Sequence, residues 1–241
     1  MTTLFLVRHG RSTANTAGVL AGRAEGVELD DIGREQARAT AARLAGVPLA
    51  AAVSSPITRC VQTAELLLAG REPAPELIPQ LEPGLTECDY GEWTGHKLSE
   101  LAGNELWKTV QRHPSAAVFP GGEALTQMYA RAVESVRGWD RRIATEHGEK
   151  AAWLAVSHGD VIKSILADAL GLHLDSFQRI MVDPASVSVI RYTASRPYVV
   201  TMNSTAGELA PLVPAEDDDS NADAAVGGGL GARASTPETG E

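Results

Sequence analysis

Two short segments of the sequence each place a histidine and a glycine directly after an apolar run of β-forming residues. One is LVRHGRSTAN at residues 6–15, and the other is AVSHGD at residues 155–160. A strand that ends in a histidine, followed by glycine and the start of a helix, places the imidazole where open α/β sheets bind ligands. If the two strands are neighbours in one sheet, His9 and His158 face a common crevice.

Arginines accompany these histidines. Arg8 directly precedes His9, and Arg59 lies where a helix should start after another strand. Guanidinium groups match phosphate oxygens in charge and geometry, and the free N–H groups of a helix N-terminus also favour an anion. An arginine in a first helical turn opposes the helix dipole, which is a further argument for a bound anion. These side chains around one pocket predict a receptor for a dianionic phosphoryl group.

These segments, together with four others, resemble the signature segments of the histidine phosphatase superfamily, also called the phosphoglycerate mutase-like family. The family signature is Arg-His-Gly after the first strand, and Asp30 stands here where the family has a threonine. The further segments are LDDIGREQA at 29–37, SSPITRCVQTAE at 54–65, LTECDYGEWTG at 85–95 and FPGGE at 119–123. One Arg-His-Gly would be weak grounds for an assignment, but six segments in order over residues 3–205 make the resemblance specific.

The resemblance implies covalent catalysis with His9 as the nucleophile. A neutral imidazole can attack phosphorus when its other nitrogen is held as a donor, and the resulting phosphoramidate is labile enough to hydrolyse. Arg8, Arg59 and His158 are then expected to bind the equatorial oxygens, because phosphoryl transfer needs fixed donors around their charge.

Glu87 matches the acidic residue of the family in the pattern Leu-x-Glu-x-x-Tyr-Gly. A leaving alkoxide must be protonated and a water must later be activated, and one carboxyl group can do both in turn. The first task requires a raised pKa, which nearby phosphate charge would favour. Asp89 and Glu92 are neighbouring alternatives, and Glu92 is more readily explained as a solvated loop residue.

A second group of residues matches family positions that line the phosphate or the substrate. These are Asn15, Gly22 and Tyr90, while Gly159 would allow close backbone approach beside His158. Ser12 could equally bind phosphate or cap a helix. No set of ligands with metal spacing is visible in the sequence, so we expect neither a metal nor a cofactor.

Strands and helices alternate along the chain, which predicts a three-layer α/β/α sandwich with a mostly parallel central sheet. Ser55 followed by Pro56 predicts a helix cap, and Asp160 is a possible cap for the helix after His158. Two late strands are expected to pair as a hairpin. The predicted strands are residues 3–7, 48–53, 151–156, 187–192 and 198–202.

Composition divides the chain into a near-neutral body and an acidic end. Residues 206–241 contain eight acidic residues and one basic residue, so they carry −7 of the net charge of −10. This segment has too few apolar residues to offset the entropy of ordering, so we predict a disordered, Gly-containing tail. The catalytic domain is predicted to be residues 1–205, as one domain.

Other features exclude several classes of protein. No apolar run approaches the roughly 18 residues of a membrane span, and the N-terminus lacks a positively charged signal, so we expect a cytoplasmic protein without membrane contact. Aromatic residues make up 5% of the chain, and no basic stripe accompanies them, which disfavours nucleic-acid binding. Cys60 and Cys88 are expected to be buried thiols. The expected partner is a small phosphorylated metabolite, and a homo-oligomer is compatible with the sequence.

Three functions fit the resemblance, and the sequence favours one of them. Mutases of the family carry a long insert after the acidic segment, with a lysine and an adjacent arginine pair for the substrate carboxylate. The segment of residues 95–120 is short here, Lys97 does not fall quite in register, and no adjacent arginine pair occurs within this segment. A catalytically inactive binding relative should have lost a histidine or the acid, and this chain retains each of them. We therefore expect a metal-independent phosphatase of small phosphomonoesters. The alternatives are a cofactor-dependent, phosphoglycerate mutase-type phosphomutase and a catalytically weak relative that binds a phosphate ligand.

Overall fold

The computed structural model describes residues 2–71 and 77–205, which are built around a six-stranded sheet in the order β3-β2-β4-β1-β5-β6. Neighbours from β3 to β1 are parallel, while β5 and β6 pair antiparallel with β1 and with each other. The predicted mostly parallel sheet is therefore confirmed, as is the hairpin. The strands are β1 Thr2–Arg8, β2 Leu49–Ser54, β3 Gln80–Leu81, β4 Ala152–Ser157, β5 Val187–Tyr192 and β6 Pro197–Ser204.

Helices cover both faces of the sheet. Apolar residues of α4 to α7 form one buried cluster, and those of α2 and α3 form a second cluster on the opposite face. This arrangement confirms the three-layer α/β/α sandwich. The α-helices are α1 Thr13–Ala17, α2 Asp31–Leu44, α3 Thr58–Leu68, α4 Leu98–Leu101, α5 Glu105–Arg112, α6 Leu125–His147 and α7 Gly159–Leu170, and short 3-10 helices lie at Pro83–Leu85, Gly91–Trp93, Pro114–Ala116 and Leu174–Arg179.

The layering follows from alternation along the strands. In β1, Leu4 and Leu6 belong to the cluster beneath α6 and α7, while Phe5 and Val7 pack on the side of α2 and α3. Successive side chains of a strand point to opposite faces, so a run that is apolar throughout needs helices on both sides. Each large side chain buried in this way contributes about 1.5–3 kcal/mol.

The order of the central strands positions the site. β2, β4 and β1 are parallel neighbours, so their carboxyl ends lie at one edge of the sheet. The residues that follow these ends are Ser55, His158 and His9. The sequence separates the two histidine segments by about 150 residues, and this strand order places them side by side.

Two predicted helix caps are wrong. Helix α3 has Ile57 at its N-cap without a side-chain hydrogen bond. Ser55 lies two residues earlier, and its hydroxyl is 2.8 Å from Nε2 of His158 and accepts from the backbone N–H of Ile57 at 3.4 Å. Helix α7 has His158 at its N-cap, and Asp160 lies inside the first turn. Asp160 is the second residue of this helix and not the residue before it, and its buried carboxylate accepts a hydrogen bond from the Tyr90 hydroxyl.

The predicted acidic tail, residues 206–241, lies outside the described residues, so the boundary between residues 205 and 206 stays a prediction. Within the part of the chain that the structure describes, no helix is long and apolar enough to cross a membrane.

Candidate active site

His9 is held in one tautomer by its own backbone. The ring is 3% exposed, and its Nδ1 lies 2.8 Å from the carbonyl oxygen of Gly10. A carbonyl only accepts, so Nδ1 carries the proton. Nε2 then bears the lone pair and accepts a hydrogen bond from Nε of Arg59 at 3.2 Å. His9 thus presents an unprotonated Nε2 to the pocket.

Gly10 keeps this geometry possible because it lies against helix α2. A Cβ added to Gly10 would lie 2.3 Å from the carbonyl oxygen of Gly33. No side chain fits at that distance, so the glycine after His9 is required by close backbone packing.

His158 is held in the opposite tautomer. Its Nδ1 lies 3.1 Å from Nη2 of Arg59, which can only donate, so Nδ1 is the acceptor in this structure. Nε2 therefore carries the proton and donates it to the Ser55 hydroxyl at 2.8 Å. The rings of His9 and His158 are 5.3 Å apart between centroids and meet edge to face at 63°.

Both imidazoles are neutral in this pocket. Burial is the main cause that lowers the pKa of His9 and of His158 well below its ordinary value, and the charge of Arg59 lowers both further. A neutral His9 has a lone pair available for attack on phosphorus.

Two buried guanidinium groups supply positive charge. Arg59, in the first turn of α3, is 2% exposed, and its Nη2 also donates to the carbonyl of Gly22 at 2.8 Å. Its Nη1 is buried and has no hydrogen-bond partner among the described residues. Arg8 is fully buried at the end of β1, and its Nη1 donates to the Val182 carbonyl at 2.7 Å. An unpaired buried donor is costly, so Arg59 is poised to receive an acceptor such as a phosphate oxygen.

Glu87 lies beside His158. Its carboxyl is 2% exposed, and Oε2 is 3.8 Å from Nδ1 of His158 while Oε1 accepts from the backbone N–H of Cys88 at 2.9 Å. Burial, followed by the charge of Asp160, raises the pKa of Glu87 to about 7. The expected shift is thus present before any phosphate binds.

The two alternative acids lie elsewhere. Asp89 has a side chain that is 40% exposed, and its carboxylate contacts Arg23 at 3.5 Å and the backbone N–H of Gly91 at 3.1 Å. Glu92 is exposed. Of the three carboxyl groups, Glu87 is the one buried next to His158.

The remaining five predicted residues lie in three places. Gly22 lies against Tyr90, since a Cβ there would come within 3.1 Å of the tyrosine ring, and the tyrosine hydroxyl donates to Asp160 at 2.8 Å. Ser12 caps α1 and exchanges hydrogen bonds with Asn15.

Gly159 is the buried first residue of α7, next to His158. Contact with a substrate stays a prediction for all five residues, which are Ser12, Asn15, Gly22, Tyr90 and Gly159. Cys60 and Cys88 are buried free thiols as predicted, and burial raises the pKa of Cys60 to about 12.

Sequence reasoning missed several residues around the pocket. Ser55 was predicted as a cap and instead fixes the His158 tautomer. Asp160 forms a buried pair with Lys163 at 3.5 Å beneath the site. Arg131 of α6 and Glu123 hold the backbone on which Glu87 lies. Glu123 belongs to the FPGGE segment, but Arg131 acts on backbone carbonyls and has no sequence signal.

The chain belongs to the histidine phosphatase superfamily. Residues 4–205 match the family model for branch 1 of that superfamily. The two arginines, two histidines and buried glutamate all lie within this range. Relatives include proteins named as phosphatases and others named as phosphoglycerate mutases.

Two of the relatives are 30% identical to this chain over the aligned residues, and one solved structure is 26% identical. Phosphoserine phosphatase 1 of Hydrogenobacter thermophilus is 30% identical over 85% of this chain and 93% of its own length. The 2-carboxy-D-arabinitol-1-phosphatase of Triticum aestivum is 30% identical over 82% of this chain, which spans only 39% of that longer protein. Among solved structures, Bacillus stearothermophilus YhfR is 26% identical with a TM-score of 0.75, covering 85% of this chain and 98% of YhfR.

Proposed function

We propose that this chain is a metal-independent phosphatase that hydrolyses small phosphomonoesters through a phosphohistidine at His9. The observation that carries the proposal is the position of Arg59 between two neutral imidazoles. Its guanidinium contacts Nε2 of His9 and Nδ1 of His158 and still has a buried Nη1 without a partner among the described residues. A phosphoryl dianion centred there meets fixed positive charge and a nucleophilic lone pair together.

The first step forms a phosphorus–nitrogen bond. The Nε2 lone pair of His9 attacks phosphorus while the ester P–O bond breaks and its electron pair goes to the leaving oxygen. Glu87 gives that oxygen its proton, for which a pKa of about 7 is suited near neutral pH. The proton on Nδ1 of His9 is stabilised throughout by the Gly10 carbonyl.

The second step breaks the same phosphorus–nitrogen bond. Glu87, now a carboxylate, takes a proton from a water molecule whose oxygen attacks phosphorus. The electron pair returns to Nε2 of His9, and inorganic phosphate leaves. His158 is proposed to take up a proton on Nδ1 when the dianion binds, because nearby negative charge favours the imidazolium form.

Water rather than a second substrate hydroxyl is proposed as the acceptor. Mutase activity would need bases that hold a substrate carboxylate between half-reactions. Lys108, in the segment after Glu87, pairs on the surface with Glu105 at 2.7 Å, and Arg112 is exposed. The proposed substrate is a small phosphorylated metabolite, and the proposed location is the cytoplasm.

Phosphate release from p-nitrophenyl phosphate, with and without EDTA, tests the activity. We expect turnover that EDTA does not change, and a quench with labelled substrate that leaves acid-labile, base-stable phosphate on the native chain. Loss of turnover with EDTA would contradict metal independence, and no turnover at all would favour a binding protein. Transfer between phosphoglycerates in the presence of a bisphosphate, faster than hydrolysis, would favour a mutase.

A further inference from the structure

The acid loop, residues 84–87, is anchored through its backbone carbonyls. The hydroxyl of Ser157 donates to the carbonyl of Leu85 at 2.8 Å. Arg131 of α6 donates to the other three carbonyls, those of residues 84, 86 and 87, at 2.8, 2.7 and 3.1 Å. Side chains from other elements therefore take the place of the ladder bonds that would fix a strand.

Arg131 uses its whole guanidinium group in this contact. Nη1 makes two of the carbonyl bonds and Nη2 makes the third, while Nη2 and Nε also donate to the carboxylate of Glu123 at 2.6 and 3.1 Å. Five N–H donors thus meet five acceptors, which is the full capacity of the group. A planar guanidinium group bound in this way fixes both the distance and the orientation of the backbone carbonyls that it contacts.

Glu123 joins this arginine to the rim of the pocket. Its Oε1 also accepts from Nη2 of Arg23 at 3.0 Å and from the backbone N–H of Asp89 at 2.9 Å. Arg23 in turn donates from Nε to the Glu87 carbonyl at 2.9 Å. Partial burial opposes ionisation of Glu123, but hydrogen bonds from Arg131 and Asp89 lower its pKa, so the carboxylate is charged.

We propose that Arg131 and Glu123 are positioning residues that hold the Glu87 carboxyl at the leaving oxygen of the substrate. The inference rests on the proposed role of Glu87 as the acid. Neither residue has a described hydrogen bond or ion pair with His9, Arg59 or His158. The charge of Arg131 does contribute to the lowered pKa of His158, so the main effect is expected on proton transfer and a smaller one on phosphate binding. A displacement of about 1 Å in a reacting group can cost roughly 10²-fold in rate.

Two esters with different leaving groups separate positioning from general damage. We expect Arg131→Ala to lower kcat/KM for 2-glycerophosphate about 100-fold and for p-nitrophenyl phosphate less than about fivefold, because only the alkoxide needs a proton as it leaves. Arg137→Ala is the matched control. Arg137 lies on the same helix and pairs with Asp168 at 2.8 Å, away from the acid loop, so both esters should change less than about twofold.

A double variant tests whether Arg131 acts through Glu87. In a Glu87→Gln background, adding Arg131→Ala should leave the ratio of the two kcat/KM values unchanged, because the proton donor is already absent. Equal losses for both esters in Arg131→Ala, or a further change of the ratio in the double variant, would overturn the inference.

Glu123→Gln supplies the answer if Arg131→Ala does not fold. This variant keeps the size of the side chain and weakens its charged contacts with Arg131 and Arg23. The ratio of kcat/KM for 2-glycerophosphate to kcat/KM for p-nitrophenyl phosphate should therefore fall about tenfold, and an unchanged ratio would overturn the inference. Glu87→Gln alone distinguishes the two proposals. If Glu87→Gln changes the ratio and Arg131→Ala does not, the positioning role of Arg131 is wrong and the acid role of Glu87 is retained. If Glu87→Gln does not change the ratio, both proposals are wrong.

Discussion

The two histidine segments end neighbouring parallel strands, yet they hold their imidazoles in opposite tautomers. After β1, the backbone carbonyl of Gly10 holds Nδ1 of His9 and leaves Nε2 open to Arg59. After β4, the hydroxyl of Ser55 holds Nε2 of His158 and leaves Nδ1 toward Arg59 and Glu87.

This difference assigns different tasks to residues in similar motifs. The lone pair of His9 is held on Nε2 because the Gly10 carbonyl fixes the proton on Nδ1, so it is suited to attack phosphorus. The Nδ1 of His158 lies 3.8 Å from Glu87 and accepts from Arg59, so a proton taken up there is stabilised by the bound dianion and, once Glu87 has given up its own proton, by the carboxylate. In the proposed mechanism, the nitrogen that the neighbouring group occupies, and not the His-Gly motif itself, separates the nucleophile from the phosphate ligand.

Replacing each histidine by alanine should give the largest effects and should break the apparent symmetry. We expect His9→Ala to reduce turnover about 10⁴-fold or more, as for loss of a covalent nucleophile. His158→Ala should cost about 10²- to 10³-fold, as for loss of one donor to a transition-state oxygen. Rapid-quench labelling should detect phosphoenzyme in His158→Ala and none in His9→Ala. Label retained on the His9 variant would assign the nucleophile to the other segment.

The pH dependence of the reaction should report Glu87. Its carboxyl has a pKa near 7, raised by burial and Asp160 against the opposing charges of Arg59 and Arg8. The acid is protonated below this value, so kcat/KM for 2-glycerophosphate should fall above about pH 7. Glu87→Gln should lower this parameter about 10²-fold and remove the alkaline limb, with p-nitrophenyl phosphate much less affected. An unchanged alkaline limb in the variant would show that another group titrates there.

Much of the pocket follows from the sequence because strand ends leave local signals. Arg8, His9 and His158 stand directly after apolar runs, and parallel neighbours bring such positions to one edge. Glu87 was found through the family pattern, since a loop residue has no periodicity. The layers follow from the alternation of helices and strands.

The partners of these residues could not be predicted in the same way. Ser55 has a sequence context that suits a helix cap, and only the proximity of β2 and β4 reveals that it bonds His158. Asp160 also suits a cap, but its burial beside Tyr90 depends on tertiary packing. Arg131 recognises backbone carbonyls 44 to 47 residues away, which no side-chain pattern encodes.

Ser55→Ala should test the difference between the two histidine segments. It removes the side-chain hydroxyl that holds His158, whereas His9 is held by a backbone carbonyl. The variant loses the acceptor that keeps the proton of His158 on Nε2. One such hydrogen bond contributes about 0.5–1.5 kcal/mol, so kcat/KM should fall roughly three- to tenfold for both esters. Thr63→Val is the comparison variant on the His9 side: it removes a hydroxyl that accepts from the backbone N–H of Gly10 at 3.1 Å, which is a bond to the backbone and not to the imidazole. A loss confined to 2-glycerophosphate in Ser55→Ala would place Ser55 with the acid and not with phosphate binding.

The smallest effect is expected from removing residues 206–241. Both histidine segments, and each group assigned to the pocket, precede residue 206, while the removed segment carries a charge of −7. Exposed charges act over a Debye length of about 10 Å at 0.1 M salt, so a chain ending at Thr205 should fold and keep kcat within about twofold. If the acidic residues screened the cationic pocket, truncation would lower KM for anionic substrates, and most strongly at low salt. Measuring KM at low and at high salt distinguishes a segment without effect on the pocket from one that screens it. A several-fold, salt-dependent decrease would mean that this segment controls access to the pocket, and failure to fold would mean that the catalytic domain extends beyond residue 205.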